Sequence, residues 1–248
     1  MGVFKFKKFS VVNERSAMKV NTDGVLLGAA MTIRPEDRTV LDVGTGTGTI
    51  ALMAAQRLSD LCSCGADGGD GLSIHAIDID EPSACEAEMN FNLSPWSSRM
   101  SAHHCSLEEF AKTSAMKFDL IFSNPPYFED SLLAPQERRS NARHTSTGLS
   151  YRELLEFAAE RLTDDGRFAV VLPAEQEAAL TRHARMCGLH MFRIVKVRTV
   201  PRKAPGRIIA EFSRFRTDSP AEELITIQNE GKYTQEYLSL TRDFYLFS

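Results

Sequence analysis

The sequence predicts an α/β fold: a doubly wound, mixed seven-stranded sheet that ends in an antiparallel hairpin. Three observations predict it. Short, continuous apolar runs alternate with stretches of helical period, the pattern of a parallel sheet covered on both faces. The first run stops at a glycine-rich turn that leads into a helix. Near the C-terminus two strand-like runs, "LHMFRIVKVRTV" and "RIIAEFSRF", are separated only by "PRKAPG", the spacing of an antiparallel pair.

The elements follow in chain order. "TVLDV" (Thr39–Val43) is the first strand. The helix after it runs from about Thr49 to Leu58, with Ile50, Leu52, Met53 and Leu58 as its apolar positions. "SIHAID" (Ser73–Asp78) is the second strand. Glu81–Asn92 is helical, with Pro82 tolerated in a first turn and Asp80 as its cap. A third strand lies around Met100–Cys105, holding His103 and His104, and a fourth at Phe118–Phe122. Tyr151–Leu162 reads as a helix closed by Asp164-Asp165-Gly166, a C-cap signal. Arg167–Pro173 is the fifth strand and Glu175–Met186 the crossover helix. The expected organisation is a single unit, with residues 1–38 as an N-terminal closing segment and 39–248 as the α/β domain. "CSCGADGGDG" (Cys62–Gly71) and Leu132–Thr147 are irregular.

Bulk properties exclude several classes. The chain has 248 residues, 43% hydrophobic and 25% charged, an ordinary globular composition. No apolar run has the length of a membrane span, and the N-terminus lacks the pattern of a secretory signal. Five cysteines, with only Cys62 and Cys64 close together, make neither a disulfide framework nor a zinc site. The expectation is free thiols in a reducing cytoplasm and no metal. The net charge of −4 hides an asymmetry. From Thr181 to Arg216 ten basic residues face one acid, Glu211, and the first twenty residues hold Lys5, Lys7, Lys8, Arg15 and Lys19 against Glu14. Such ends can offer a phosphate-binding face or be no more than a solvated surface.

Two motifs carry chemistry. In "LDVGTGTG", Gly44, Thr45, Gly46 and Gly48 lie between a strand and a helix, where glycines allow close backbone approach to a ligand. The loop alone is compatible with a dinucleotide. Asp42 argues otherwise: a carboxylate two residues before the first glycine repels a pyrophosphate and suits a cationic amine, such as the α-amino group of S-adenosylmethionine. Asp78 ends the second strand, where an acid can accept from two ribose hydroxyls, with Ile79 next to it. Ser106, after the third strand, is either an adenine-edge ligand or the cap of a short helix at Leu107–Ala111. The second motif, "SNPPY" (Ser123–Tyr127), ends the fourth strand, which adjoins the first at the topological switch point. Its prolines cannot continue a sheet. Asn124 Oδ1 and the Pro125 carbonyl can both accept from a planar NH₂ group, and Tyr127 offers a stacking face. A rigid turn with no further role is the alternative for this motif taken alone.

These motifs resemble the fingerprint of Rossmann-like class I amino-methyltransferases. "SAMKVNTDGVLLGAA" (Ser16–Ala30), "NFNLSPW" (Asn90–Trp96), "NARHTSTGLSYRELL" (Asn141–Leu155) and "DFYL" (Asp243–Leu246) resemble, more narrowly, the bacterial tRNA1(Val) adenine-37 N6-methyltransferase family over nearly the whole chain. The resemblance implies a cytoplasmic enzyme that methylates the N6 amine of a tRNA adenine from S-adenosylmethionine, without a metal; the oligomeric state is left open by the sequence, with a monomer as the expectation. It implies that Asp42, Gly44, Thr45, Gly46, Asp78, Ile79, Ser106 and Asn124 hold the cofactor, with Lys19, Thr22 and Asp23 closing the methionine end. Asn124, Pro125 and Tyr127 would act on adenine. Ser106 is a departure, because related enzymes often carry Asp there. For tRNA, the phosphate-contact candidates are Lys5, Lys7, Lys8, Arg138, Arg139, Arg143, His144, Arg202, Lys203 and Arg207. Two alternatives remain: methylation of a protein glutamine, and a tRNA-binding module that has lost catalysis. Glutamine methyltransferases generally carry a separate N-terminal helical domain, whereas here the first strand begins at Thr39.

Overall fold

A computed structural model describes residues 2–62, 71–126 and 149–246. The N-terminal ribbon consists of β1 (Val3–Lys5) and β2 (Ser10–Val12), and α1 (Thr22–Ala30) follows it. Next come β3 (Thr39–Val43), α2 (Thr49–Cys62), β4 (Ser73–Asp78), α3 (Glu81–Asn92), β5 (Met100–His104), α4 (Leu107–Thr113) and β6 (Phe118–Ser123). After these are α5 (Tyr151–Arg161), β7 (Leu162–Pro173), α6 (Glu177–Met186), β8 (His190–Arg198), β9 (Arg207–Ser213) and β10 (Ala221–Thr226). A short ribbon, β11 (Gln228–Asn229) with β12 (Lys232–Tyr233), precedes α7 (Gln235–Thr241).

The central sheet has the order β10-β8-β9-β7-β6-β3-β4-β5. β3 pairs in parallel with both β4 and β6, so chain order reverses at β3 and a crevice opens beyond its carboxyl end. β9 inserts antiparallel between β7 and β8, which is the expected terminal pair. The sheet has eight strands rather than seven. The added strand, β10, pairs in parallel with β8 at the edge. Its first four residues are exposed, so it lacks the apolar run that marks the other strands. Ion pairs fasten it instead: Arg193 to Glu223 at 2.8 Å and Lys196 to Glu222 at 3.0 Å.

The helix expected to close at Asp164-Asp165-Gly166 ends earlier. Leu162 is already extended and pairs with Phe118 on β6, and the register then shifts before Arg167 pairs with Leu120. Arginine serves the helix end in place of a glycine cap: Arg214 donates to the carbonyls of Ala159 and Leu162. Gly166 answers a steric demand, because a Cβ there would lie 2.7 Å from the Phe118 carbonyl oxygen.

Two apolar cores flank the sheet. One holds Val40, Ala76, Leu120 and Phe122 with α1, α2 and the N-terminal residues Phe6, Phe9 and Val11; the other holds Leu41, Val43, Ile121 and Val170 with α5. The aromatic residues of "FKFKKF" therefore pack. Phe6 and Phe9 are buried, with ring centroids 4.5 Å apart. α1 is buried along most of its length, and its last carbonyls are served by other elements. Arg57 donates to Gly28 and Met31, and Arg193 donates to Ala30.

Gly48 offers a test of this packing. Its φ is +78° and an added Cβ would meet Phe91 Cε1 at 2.5 Å, whereas Gly188, at φ +76°, has nothing within 4 Å. Gly188→Ala should cost only the backbone strain, about 1–2 kcal/mol. Gly48→Ala should cost a further ~1–3 kcal/mol for overpacking. Urea unfolding of both variants measures the difference, and equal losses would show that Phe91 yields.

Candidate active site

The carboxyl ends of β3, β4 and β6 bring Asp42, Asp78 and Asn124 to one edge of the sheet. Register aligns them: Val43 pairs with Ile77 on one side and with Ser123 on the other. The Ser123 hydroxyl donates to the Val43 carbonyl at 2.7 Å and fixes the start of the Asn-Pro-Pro turn against the glycine loop. Asn124 and Pro125 are buried, and the Asn124 amide lies 3.5 Å from Met18 Sδ. Tyr127 lies outside the described residues, as do Arg138, Arg139, Arg143 and His144.

The glycine loop turns through positive φ at Gly44, Gly46 and Gly48. Its amides have internal partners. Gly44 and Thr45 donate to the Ile77 carbonyl, Gly46 donates to Asp78 Oδ2 at 2.8 Å, and Gly48 donates to the Thr45 carbonyl. A phosphate cradle needs such amides turned outward. Here the loop turns its amides inward and offers no anion nest, in keeping with the sequence argument from Asp42.

Asp42 is fully buried. Its Oδ2 accepts from the Thr45 hydroxyl at 2.7 Å, and its Oδ1 has no hydrogen-bond partner among the described residues. Burial pushes its pKa from the ordinary value up to about 7; the Thr45 bond opposes the shift and the Asp78 charge adds to it. An orphaned buried carboxylate oxygen fits a ligand that brings its own cationic donor. Burial also raises the Asp78 pKa, against the amides of Asp80 and Gly46 that favour its charged form. Each Asp78 oxygen takes one amide, which leaves further acceptor capacity for hydroxyls. Beside it, Ile79 is 60% exposed, an apolar face at the rim.

The roof of the crevice comes from the segment before α1. Met18, Lys19, Val20, Asn21 and Gly24 line it together with Gly44, Thr45, Gly46, Ile50 and Asn124. Lys19 is therefore at the crevice, although its ammonium donates to the Glu14 carbonyl at 2.6 Å. Thr22 begins α1 behind the cap Asn21 and is exposed, and Asp23 pairs with Arg207 at 2.9 Å. Met18, Val20 and Asn21 escaped the sequence reading because nothing in their spacing marks a lining. Ser106 is placed as a cap: its hydroxyl accepts from the Glu109 amide while the Glu109 carboxylate accepts from Ser106 in return. That capping box occupies the hydroxyl, which is the cap reading of this position. Asp80 caps α3 as expected, accepting from Ser83.

The basic candidates divide. Arg202 and Lys203 are exposed on the β8–β9 loop, at the same sheet edge as Asn124, because β8 runs parallel to β6 and β7. Arg207 opens β9 there but is held by Asp23. The N-terminal lysines are elsewhere. Lys8 pairs with Asp60 near the end of α2, remote from the crevice where that helix begins, and Lys7 donates to the Arg242 carbonyl. Lys5 lies on the same ribbon.

Comparison with known proteins adds three findings. A family model described as the methyltransferase small domain matches residues 15–187. Curated proteins named tRNA1(Val) (adenine(37)-N6)-methyltransferase match nearly end to end. One from Bacteroides fragilis is 40% identical over 98% of this chain and 97% of its own. One from Parabacteroides distasonis is 41% identical with the same coverage, and one from Salmonella paratyphi B is 37% identical over 98% and 95%. Among solved structures, one from Agrobacterium tumefaciens, described as a predicted O-methyltransferase, aligns with a TM-score of 0.60 at 14% identity, covering 90% of this chain and 96% of that one. A ribosomal protein L11 methylase from Lactobacillus delbrueckii gives 0.51 at 20% identity, over 86% and 100%. At such identities the structures speak to the fold, which they share.

The buried Asp42 makes stability and binding depend on pH in opposite directions. Its folded pKa lies above its unfolded one, so the native state holds the extra proton between about pH 4 and 7. Its contribution to stability is full below pH 4 and is lost as pH rises through 7, by at most ~1.4 kcal/mol per pH unit. Asp42→Asn should flatten that part of the stability profile in chemical denaturation. A cationic ligand selects the ionised form, so its affinity should climb as pH rises towards 7. An affinity independent of pH in the wild type would remove Asp42 from the ligand's amine.

Proposed function

The chain belongs to the methyltransferase small-domain family and, within it, with the tRNA1(Val) (adenine(37)-N6)-methyltransferases, and on that premise we propose that it methylates the N6 amine of adenine 37 in tRNA1(Val) from S-adenosylmethionine. The observation that carries the reading is the convergence of an orphaned buried carboxylate, Asp42, with the Asn124-Pro125-Pro126 turn across adjacent strand ends.

In this reading Asp42 takes the amine of the methionine moiety, Asp78 takes the ribose hydroxyls, and the exposed Ile79 lies against the adenine ring. Lys19 and Thr22 stand at the methionine end. S-adenosylmethionine supplies, when bound, an electrophilic methyl on a sulfonium that departs as a neutral thioether. The chain's own task is to prepare the nucleophile. The adenine N6 lone pair is delocalised into the ring and attacks poorly. Asn124 Oδ1 and the Pro125 carbonyl accept from the two N6 hydrogens, favour a pyramidal nitrogen and complement the positive charge that develops on it. The prolines hold these acceptors rigid, so little reorganisation is needed as the barrier is crossed. A proton then leaves the methylated nitrogen for solvent. Tyr127 is proposed as the face on which the flipped base stacks.

Two of the sequence candidates are favoured as RNA contacts, Arg202 and Lys203, because they sit on the crevice edge. An anticodon-loop adenine is already unpaired, which lowers the cost of turning it into the crevice.

Nucleoside mass spectrometry of tRNA incubated with the protein should find N6-methyladenosine, mapped to position 37 of tRNA1(Val). Methyl label recovered only in protein glutamine would replace adenine as the substrate. Asn124→Ala should lower the rate by roughly a hundredfold or more. The double variant Arg202→Ala/Lys203→Ala should raise KM for tRNA and reduce the salt dependence of binding by about one to two counterions, whereas Lys8→Ala should change neither. A reversal of those two results would move the RNA path to the N-terminal ribbon.

A further inference from the structure

Glu86 is a buried acid with no place in the chemistry above. It lies on α3, outside the crevice, with 1% of its surface exposed. Its carboxylate accepts three successive backbone amides of the segment that becomes the crevice roof: Glu14 and Arg15 at 2.8 Å on Oε1, and Ser16 at 3.0 Å on Oε2. One turn further along α3, Asn90 holds the same segment. Its Oδ1 accepts from the Val12 amide at 2.8 Å, and its Nδ2 donates to the carbonyls of Val12 and of Thr47 in the glycine loop. Burial works to raise the Glu86 pKa, but the amides of Arg15, Ser16 and Glu14, with the Lys19 charge, outweigh it and hold the group charged.

The clamp is joined to the ligand-facing groups by a hydrogen-bonded chain. The Ser16 hydroxyl donates to the Met18 carbonyl at 3.0 Å, and the Ser83 hydroxyl meets both the Ser16 hydroxyl and Asp80 Oδ2. The Asp80 amide in turn donates to Asp78 Oδ1 at 2.9 Å. On its far side the roof lies over Gly46, where an added Cβ would come within 3.4 Å of the Met18 carbonyl oxygen, and it reaches Asn124 through Met18 Sδ. Three consecutive N–H groups gathered on one carboxylate hold the backbone in one conformation. Residues 14–16 have no strand or helix of their own to do this.

We infer that Glu86 is a positioning residue for the cofactor: by gathering the amides of Glu14, Arg15 and Ser16 it sets Met18–Asn21 at the height that closes the crevice over the methionine end. The inference rests on the reading of the crevice as an S-adenosylmethionine site, and it assigns to α3 a binding role that its sequence does not announce. Glu86 touches neither substrate nor cofactor and acts through the strap alone.

The probe is S-adenosylhomocysteine, titrated calorimetrically into wild type, Glu86→Ala and Glu86→Gln well below their unfolding temperatures. Glu86→Ala should raise Kd by about tenfold or more, the effect of losing the roof's geometry. Glu86→Gln keeps one acceptor oxygen and should fall between. KM for tRNA should stay within about twofold, because the strap does not line the RNA edge. Deuterium exchange at Glu14–Ser16 should quicken in both variants while α2 and the central strands stay protected. A variant that was merely less stable would bind the probe as tightly as wild type at that temperature, and that result overturns the inference. If Glu86→Ala does not fold, Glu86→Gln alone decides, and an unchanged Kd in it overturns the inference equally. Failure of the wild type to bind the probe would instead sink the cofactor reading itself.

Discussion

Asp42 is the constraint around which the rest of the site is arranged. A carboxylate without full solvation is costly inside a protein, and the chain offsets little of that cost for this one, with the Thr45 hydroxyl and the weaker pull of the Ala51 backbone amide. The position is fixed by topology. β3 is where chain order reverses, so its last residues face the crevice whatever their identity. An acid at that point favours a cationic guest and disfavours an anionic one. The glycine loop agrees with it, since its amides bond to Ile77 and Asp78 rather than outward. The loop and the acid thus make the same choice of ligand charge by independent means.

Carboxylates elsewhere do a related task, with backbone amides as partners. Asp119 accepts from Arg38 and Thr39 where the chain enters β3, Glu211 accepts from Thr32 after α1, and Glu86 accepts from the roof segment. Each fastens a connecting stretch that has no ladder of its own, and each meets the requirement that buried N–H groups be paired. Glu211 and Arg193 also join across 2.6 Å. Part of the basic charge near the C-terminus is therefore internal: Arg193, Lys196, Arg207 and Arg214 hold the sheet edge, α1 and α5. A count of lysines and arginines along the sequence cannot separate these from the ones that face solvent. That is why the charge of the segment overstates what it can offer a phosphate, while Arg202 and Lys203 stay exposed at the crevice edge.

The parts of the fold that were legible have local causes. Most strands from β3 to β9 carry apolar runs of the right length, Asp80 caps α3 by its side chain, and the glycines of the first turn take the positive φ that only they adopt freely. The parts that were not legible depend on distant partners. β10 is mostly exposed and is a strand because β8 lies beside it. Asp164-Asp165-Gly166 carries a cap's composition, but β6 draws Leu162 into the sheet before a cap can form. Ser106 carried two readings from sequence, and Glu109, three residues on, favours the cap. The roof residues Met18 and Asn21 have no signature because their role is given by Glu86 and Asn90, some seventy residues away in sequence.

This division separates the site into a part set by the sheet and a part set by the helix beside it. Asp42, Asp78 and Asn124 are carried on strand ends whose register leaves them little freedom, which suits the charge and chemistry proposed for them, where small displacements are costly. The roof is carried on backbone amides held by α3, with a further tie to the glycine loop and a contact with Asn124, and takes no part in the ladder of the sheet. A ligand bound beneath Met18 needs such a covering to be removable, because the crevice floor is continuous with the core. Groups fixed on strand ends and a roof clamped from the neighbouring helix are therefore complementary consequences of one topology. In the proposed reading the sheet carries the groups that meet the reacting atoms, and α3 holds the roof over the donor.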